Sequence, residues 1–160
     1  MGKITDDPNR VIEFDDNIDA WIDTVTGLMW EVKTEENIEH EYVWSEKWVD
    51  GTWLSKNLTD DTEDAFSYAK KLNTQWHGGF SDWRVPTKKE LETILIIKEI
   101  NGYYIKAPLS ENSSNGYWSS TSYEGSSDYA WSVYFYSGYV YYDSHAKDDS
   151  YYVRCVRDGQ

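Results

Sequence analysis

The side chains best suited to chemistry are Ser132, Tyr134, Tyr136, Tyr139, Tyr141, Asp143 and His145, flanked by Tyr123, Asp128, Asp149 and Tyr151. The chemistry they point to is recognition. Tyrosine offers a broad amphipathic contact area with little rotamer entropy to lose, and serine adds adaptable hydrogen bonds. Half of the fourteen tyrosines fall between Ser126 and Tyr151. Within that stretch Trp131, Val133 and Phe135 share one face of a strand, while Ser132, Tyr134 and Tyr136 share the other, because side chains alternate with period two. A strand with one apolar and one polar face is half buried, so the tyrosine face is expected to be exposed and contiguous.

Catalytic and metal-binding patterns are weak by comparison. No Gly-x-Ser-x-Gly elbow accompanies the many serines. His40, His77 and His145 lack metal-ligand spacing and read as surface or hydrogen-bonded residues. Asp15-x-Asn17-x-Asp19 begins like a calcium loop, but Ala20 stands where the sharp turn needs glycine and Thr26 where a bidentate Glu is needed. Calcium held elsewhere, through Asp128, Asp143, Asp148 or Asp149, competes with the simpler reading of a solvated acidic surface. Trp83 and Trp118 could stack a sugar ring, although a core role fits them better. The expectation is a binding module rather than an enzyme, with no cofactor and no metal.

At 160 residues the chain is one domain, long enough to bury about two-thirds of its unfolded surface. A net charge of −14 argues against nucleic acid or an anionic membrane as partner, and suits solubility or a cationic ligand. The longest aliphatic run, Ile94-Leu95-Ile96-Ile97, is far below the roughly 20 residues that span a bilayer. Met1-Gly2-Lys3 leads into mostly polar residues, so no secretory signal is expected in this chain. A single cysteine, Cys155, excludes an internal disulfide and reads as a buried, inert thiol.

Two helices and a β-rich half must position the tyrosines. Asp60 three residues before Glu63 resembles a capping box, after which Ala65, Phe66, Ala69 and Leu72 line one face. A second helix starts at Thr87, with Glu90 reaching back, and is expected to run to Asn101-Gly102. Strands are expected near 117–121, 130–136, 139–143 and 151–156. Residues 1–20 read as an acidic extension and 33–58 as an irregular insertion with a hairpin signal at Asp50-Gly51. Thr24 to Trp30 reads as a turn at Gly27 followed by a buried strand. The outline is α+β. The expected core comprises Leu28, Trp30, Ala65, Ala69, Leu72, Trp83, Val85, Leu91, Leu95, Trp118, Trp131, Val133, Phe135, Val140, Val153 and Cys155.

Three blocks in order carry a resemblance: Thr26-Gly27-Leu28-Met29-Trp30, then Gly79-Phe80-Ser81-Asp82-Trp83-Arg84-Val85-Pro86-Thr87-Lys88-Lys89-Glu90-Leu91, then Tyr117-Trp118-Ser119-Ser120-Thr121 with Tyr152-Val153-Arg154-Cys155-Val156-Arg157. Together they resemble the Lcl C-terminal domain family over roughly residues 20 to 158. The resemblance implies a C-type-lectin-like fold of the formylglycine-generating-enzyme branch: two helices packed on a twisted antiparallel sheet, with a loop-rich half carrying ligand contacts. It also implies an extracellular, cell-surface or virion-associated setting and a protein or glycan ligand, and leaves the oligomeric state open. The oxidase relatives need two active-site cysteines, which this chain lacks. Asp16-Asn17-Ile18-Asp19-Ala20 has no glycine where family members often do, so that hairpin is expected to be reshaped.

A narrower resemblance is to variable proteins of diversity-generating retroelements. There, mutation of asparagine codons yields Tyr, Ser, Asp, His, Gly and Phe, but not Lys, Glu, Gln, Met or Trp. The outward positions between Ser126 and Tyr151 fit that set, with Lys147 the clear exception. The alternatives are a family simply rich in Tyr and Ser here, or a constant structural or adhesin module of a bacterial envelope protein.

Overall fold

The computed structural model describes residues 12–15, 20–45, 47–49, 52–54, 64–100, 103–105, 109, 116–135 and 141–159. In chain order the strands are β1 (Ile12–Asp15), β2 (Ala20–Asp23), β3 (Met29–Glu31), β4 (Tyr42–Val43), β5 (Lys47–Val49) and β6 (Thr52–Leu54). Two helices follow, α1 (Ala65–Thr74) and α2 (Lys88–Thr93), with a 3-10 turn at His77–Gly79 between them. Then come β7 (Leu95–Ile100), β8 (Tyr103–Ile105), β9 (Gly116–Ser122), β10 (Tyr129–Tyr134), β11 (Tyr141–Ala146), β12 (Ser150–Tyr151) and β13 (Val156–Arg157). The result is a mixed α+β arrangement with several small antiparallel sheets in place of one large one. The sheet orders are β1-β2-β3-β13, β11-β10-β9, β12-β4, β5-β6 and β7-β8.

Local sequence explains most of these starts and stops. Asp23 accepts from the amides of Val25 and Thr26, and Gly27 supplies φ +75° before β3 begins. Helix α1 is capped by Asp64, whose side chain accepts from the amide of Ser67 at 2.8 Å. The expected Asp60/Glu63 cap falls outside the described residues. At α2 the capping box is complete: Thr87 Oγ1 accepts from the Glu90 amide, and Glu90 accepts from the Thr87 amide.

The expected length of α2 is corrected. It ends at Thr93, and Leu95–Ile100 pairs with Tyr103–Ile105 as a hairpin. The physical cause is the β-branched run Ile94, Ile96, Ile97, which favours extended backbone, and the Asn101-Gly102 pair, which favours a tight hairpin turn. The insertion is also more than irregular. It carries β4, and the β5–β6 hairpin that Asp50-Gly51 signals, and it delivers Tyr42 and Trp44 to the core. Residues 20–23 are paired on both sides as β2, and the last expected strand is broken into β12 and β13.

Two apolar cores lie on opposite faces of a β layer made by β9, β10 and the C-terminal segment. One contains Ala65, Ala69 and Leu72 of α1 with Trp118, Ala130, Val153 and Cys155. The other contains Leu91 of α2 with Ile94, Tyr117, Val133, Phe135, Tyr152 and Val156. Pleating sorts them: Tyr117 and Trp118, or Tyr152 and Val153, point to opposite cores because they are neighbours in extended chain.

This double coverage corrects the expected polar face at Ser132 and, in part, at Tyr134. Ser132 stands directly opposite Trp118 in the register and is fully buried. Tyr134 is half-buried, its ring 6.0 Å from that of Tyr151, and both rings close over Gly116. An added Cβ on Gly116 would sit 3.1 Å from the Tyr134 ring, so the absence of a side chain makes room for that packing. Trp131, expected in the core, is instead only partly buried: the β9–β10 register shifts between Ala130 and Ser132, next to it. Leu28 is likewise only partly buried, and Val140 lies outside the described residues.

Helix α1 closes in an unusual way. Its C-cap is Gln75, and the next residue, Trp76, takes φ +52° and ψ +46°. Glycine normally fills that left-handed position, and a bulky side chain there costs about 1–2 kcal/mol.

Two outcomes follow. Phe135→Ala is expected to destabilise the domain by about 3–5 kcal/mol in denaturant unfolding, and Trp131→Ala by under about 2 kcal/mol. Equal losses would restore Trp131 to the core. The second concerns acid. Burial raises the Glu90 pKa, but its bonds to Arg84 and the Thr87 amide outweigh that and hold it below the usual range. A carboxylate with a depressed folded pKa contributes stability above its unfolded value, and loses it as pH falls from about 4.3. Melting temperature should therefore fall more steeply with acid in the wild type than in Glu90→Gln.

Candidate functional site

The structure distributes the predicted recognition residues unevenly. Tyr136 and Tyr139 lie outside the described residues. Tyr141, Asp143 and His145 are on β11, where the register pairs them with Tyr134, Ser132 and Ala130. Their backbone positions are described and their side chains are not. Ser132 is buried, Tyr134 and Tyr151 are half-buried, and Tyr151 packs edge-on against Trp118 with centroids 4.9 Å apart. The strand face expected to be wet is thus, at β10, largely an interior face.

Among the described residues of the β11-β10-β9 sheet, exposure is concentrated instead at the end where two turns meet. Residues 123–128 connect β9 to β10, and residues 147–149 connect β11 to β12. Within the first turn the amide of Tyr123 donates to Tyr129 O at 2.8 Å, and the amide of Tyr129 donates to Ser126 O at 3.2 Å. Asp128, Tyr129, Asp148 and Asp149 are exposed there, with Tyr123 half-buried beside them. Tyr123 stands edge-on to Trp131, with centroids 5.4 Å apart. Its ring folds over Gly125, where a Cβ would come within 2.5 Å, so glycine is required for that close approach. Trp131 donates its indole N–H to Glu124 Oε2 at 3.0 Å, and the Lys88 ammonium sits 4.0 Å above its ring. The Glu124 carboxyl is held below the ordinary range by its own backbone amide, with the Trp131 bond adding to it.

Lys147 locks the two turns together and is itself buried. Its amide donates to Asp128 O at 3.0 Å, and its carbonyl accepts from the amides of Trp44 and Ser45. Its ammonium donates to Ser122 Oγ at 2.9 Å and lies 4.0 Å from the Trp44 ring. Burial pushes its pKa down, against the pull of Asp128. The sequence marked Lys147 as an odd cation on an outward face; it is a scaffold residue. Nothing in the sequence alone picks out Tyr129, Glu124 or Lys88, and alternation places Trp131 in the core, whereas the structure leaves it half-buried. The clue available was the turn-forming run Glu124-Gly125-Ser126-Ser127-Asp128 between two aromatic residues.

A second cluster has the residue types of catalysis but is sealed. Glu31 and Lys33 side chains are 0 % and 2 % exposed, 3.3 Å apart. The Tyr68 hydroxyl donates to Glu31, and the Cys155 amide donates to Glu31 Oε1 at 2.9 Å. Arg154 donates to the Glu31 carbonyl at 2.7 Å, and Asn37 Nδ2 donates to the Tyr68 hydroxyl at 3.1 Å. Burial, reinforced by Glu31, pushes the Tyr68 and Cys155 pKa values up, so both stay protonated near neutrality. Burial pulls Lys33 down, opposed by Glu31. This cluster ties β3, the following loop, α1 and the C-terminal segment together.

Between α1 and the segment entering α2 lies an open cleft of about 720 Å³, lined among others by Phe66, Asn73, Trp83, Arg84 and Ser120. Arg84 forks onto Glu90 at 2.5 and 2.7 Å and reaches Asp158 at 2.9 Å. Its charge is therefore already matched. Arg157, nearly buried, grips Asp82 at 2.7 and 3.2 Å and lies over the Phe80 ring. Trp83 and Trp118 are buried, so neither offers a stacking face. Among the described residues no group of three or more His, Cys, Asp or Glu side chains is placed to hold a metal ion. No helix among them is long and apolar enough to cross a membrane.

These features define a small α+β domain in which exposed Tyr and Asp side chains stand at paired turns on a double-cored frame. The family model of the Lcl C-terminal domain matches residues 19–157, and the chain belongs to that family. No curated protein and no solved structure matches it.

Glu31→Gln should cost about 3–5 kcal/mol in equilibrium unfolding, because it leaves the Lys33 ammonium buried without its counter-charge. Adding Lys33→Met to Glu31→Gln should recover part of the loss. If the double variant is no better than the single one, the ion pair is not what the carboxylate supports.

Proposed function

We propose that this domain is a non-enzymatic recognition module. Its contact surface is the paired-turn end, with Tyr123, Asp128, Tyr129 and Asp149 as the contact residues and Trp131 beside them. The observation that carries this reading is the pairing of the turns: exposed Tyr and Asp side chains stand on backbone pinned by the buried Lys147. A binding surface of this kind loses little entropy on contact. Family membership supports it, and the fold we assign within that reading is C-type-lectin-like. The ligand is a protein or glycan. Carboxylates at the turns, on a chain of net charge −14, favour one that presents cationic groups, such as a basic protein surface.

The diversified version of the proposal draws support from Lys147, since the residue that breaks the asparagine-codon pattern is buried rather than outward. Ser132, also buried, counts against diversification at that position, where a larger side chain would meet Trp118. The genomic observation that decides it is a near-copy of the segment encoding residues 117 to 157, with asparagine codons at the tyrosine positions, beside a reverse transcriptase gene. Its absence leaves a constant recognition or adhesin module.

For the surface itself, a display library of basic peptides screened against the wild-type domain should yield saturable binders. A Tyr129→Ser, Asp149→Asn variant should keep its melting temperature and bind the selected peptides about tenfold more weakly or worse. Unchanged affinity in a folded variant would remove the paired turns as the contact surface.

A further inference from the structure

The sealed cluster around Glu31 holds more than its ion pair needs. The turn at residues 34–38 winds like a single helical turn, the amide of Ile38 donating to Thr34 O at 2.9 Å. Lys33 and Asn37, four residues apart, stand on one side of it, where side chains at that spacing meet. Both reach one atom: Lys33 Nζ lies 3.2 Å and Asn37 Nδ2 3.1 Å from the Tyr68 hydroxyl oxygen. That hydroxyl donates to Glu31, which lies 3.3 Å from Lys33 Nζ. Asn37 Oδ1 accepts from the Thr34 amide at 2.8 Å. An asparagine that only capped the turn would use Oδ1 alone, and a lysine that only neutralised Glu31 would need no amide beside it. Amine, amide, carboxylate and hydroxyl together make a reactive set.

We propose that Lys33 and Asn37 join through an intramolecular isopeptide bond, with loss of ammonia, and that Glu31 and Tyr68 relay the protons. The Lys33 ammonium first gives a proton to the Glu31 carboxylate, leaving a neutral amine and a neutral acid where charge is disfavoured. Burial already pulls the Lys33 pKa down, which favours that transfer. The flexible lysine stem lets Nζ swing from the hydroxyl to Asn37 Cγ. There the amine lone pair forms the Nζ–Cγ bond, and the carbonyl π pair moves onto Oδ1, where the Thr34 amide stabilises it. When that pair returns, the Cγ–Nδ2 bond breaks and its electrons leave with Nδ2. Glu31 protonates the leaving nitrogen through the Tyr68 hydroxyl and takes up the extra proton of Nζ. The products are a secondary amide, ammonia and a protonated Glu31, so neither oxidant nor reductant is needed. Asn37 is only half-buried, which gives the ammonia a way out. Fixed neighbouring side chains supply the effective concentration that free amine and amide lack. No residue of the paired-turn surface takes part, so the two proposals fail separately.

The experiment is intact-mass spectrometry of the full folded chain over a time course, followed by denaturation and trypsin digestion. The wild type should come to weigh one ammonia less than its sequence. Trypsin should then fail to cut after Lys33, whose side chain has become an amide, and fragment ions should keep residues 33–37 joined. Lys33→Arg and Asn37→Ala should each keep the sequence mass. Glu31→Gln and Tyr68→Phe should form the link about a hundredfold more slowly or worse, each being checked as folded by circular dichroism. Tyr68→Phe leaves the carboxylate and the amine in place, so the relay is tested even where Glu31→Gln fails to fold. The proposal is overturned if the wild type keeps its full sequence mass, or if Tyr68→Phe links as fast as the wild type. It is equally overturned if ammonia is lost while trypsin still cuts after Lys33, which would assign the loss to an asparagine cyclising on its own backbone.

Discussion

A single buried carboxylate holds the parts of this domain in register. Glu31, at the end of β3, accepts from the Cys155 amide and the Tyr68 hydroxyl and pairs with Lys33, while its own carbonyl accepts from Arg154. These partners come from the C-terminal segment, α1, and the loop after β3. Burying a carboxylate and an ammonium is costly unless their hydrogen-bonding capacity is filled. This arrangement of the three segments fills it, and removing one partner would leave the other buried and unmatched.

The C-terminal segment that Glu31 grips is the seam of the fold. Tyr152 exchanges backbone hydrogen bonds with Gly116 and Trp118, Cys155 O accepts from Glu31, and Val156 bonds reciprocally with Arg84. Ser150 and Tyr151 pair with Val43 and Tyr42. A short, mostly irregular stretch thereby joins three sheets and sends alternate side chains into the two cores. With both faces of the β layer covered, little of β10 remains to meet a ligand. The side chains that can change without opening a cavity lie at the ends of the strands and in the helix-ending turn.

Lys147 shows how closely the paired turns are tied to the core. Its ammonium needs a partner once buried, and it finds Ser122 and the face of Trp44. Trp44 comes from the segment that looks like an insertion in the sequence, so that segment supports the turns from beneath. The stack of Lys88, Trp131 and Tyr123 does the same from the α2 side, and Gly125 allows the Tyr123 ring to close down. Rigid turns of this kind can present polar groups without first having to be ordered.

The features legible in the residues alone are local. The capping box at Thr87 and Glu90, the turn at Gly27, the hairpin at Asp50-Gly51 and the burial of Trp83, Trp118, Val153 and Cys155 all depend on neighbours a few residues away or on plain hydrophobicity. The family was legible too, from three ordered blocks. Which side of each element faces what is settled by packing. Alternation along β10 reports two faces, but it cannot report that both are covered, so Ser132 reads as wet and is dry, and Trp131 reads as core and is at the rim. Tertiary pairing likewise ended α2 at Thr93 and made a buried scaffold of Lys147. The left-handed turn at Trp76 follows a clamp between Asn73 and Trp83. Period and propensity are properties of a segment; coverage is a property of the segments packed against it, and it is coverage that decides which residues remain free to bind.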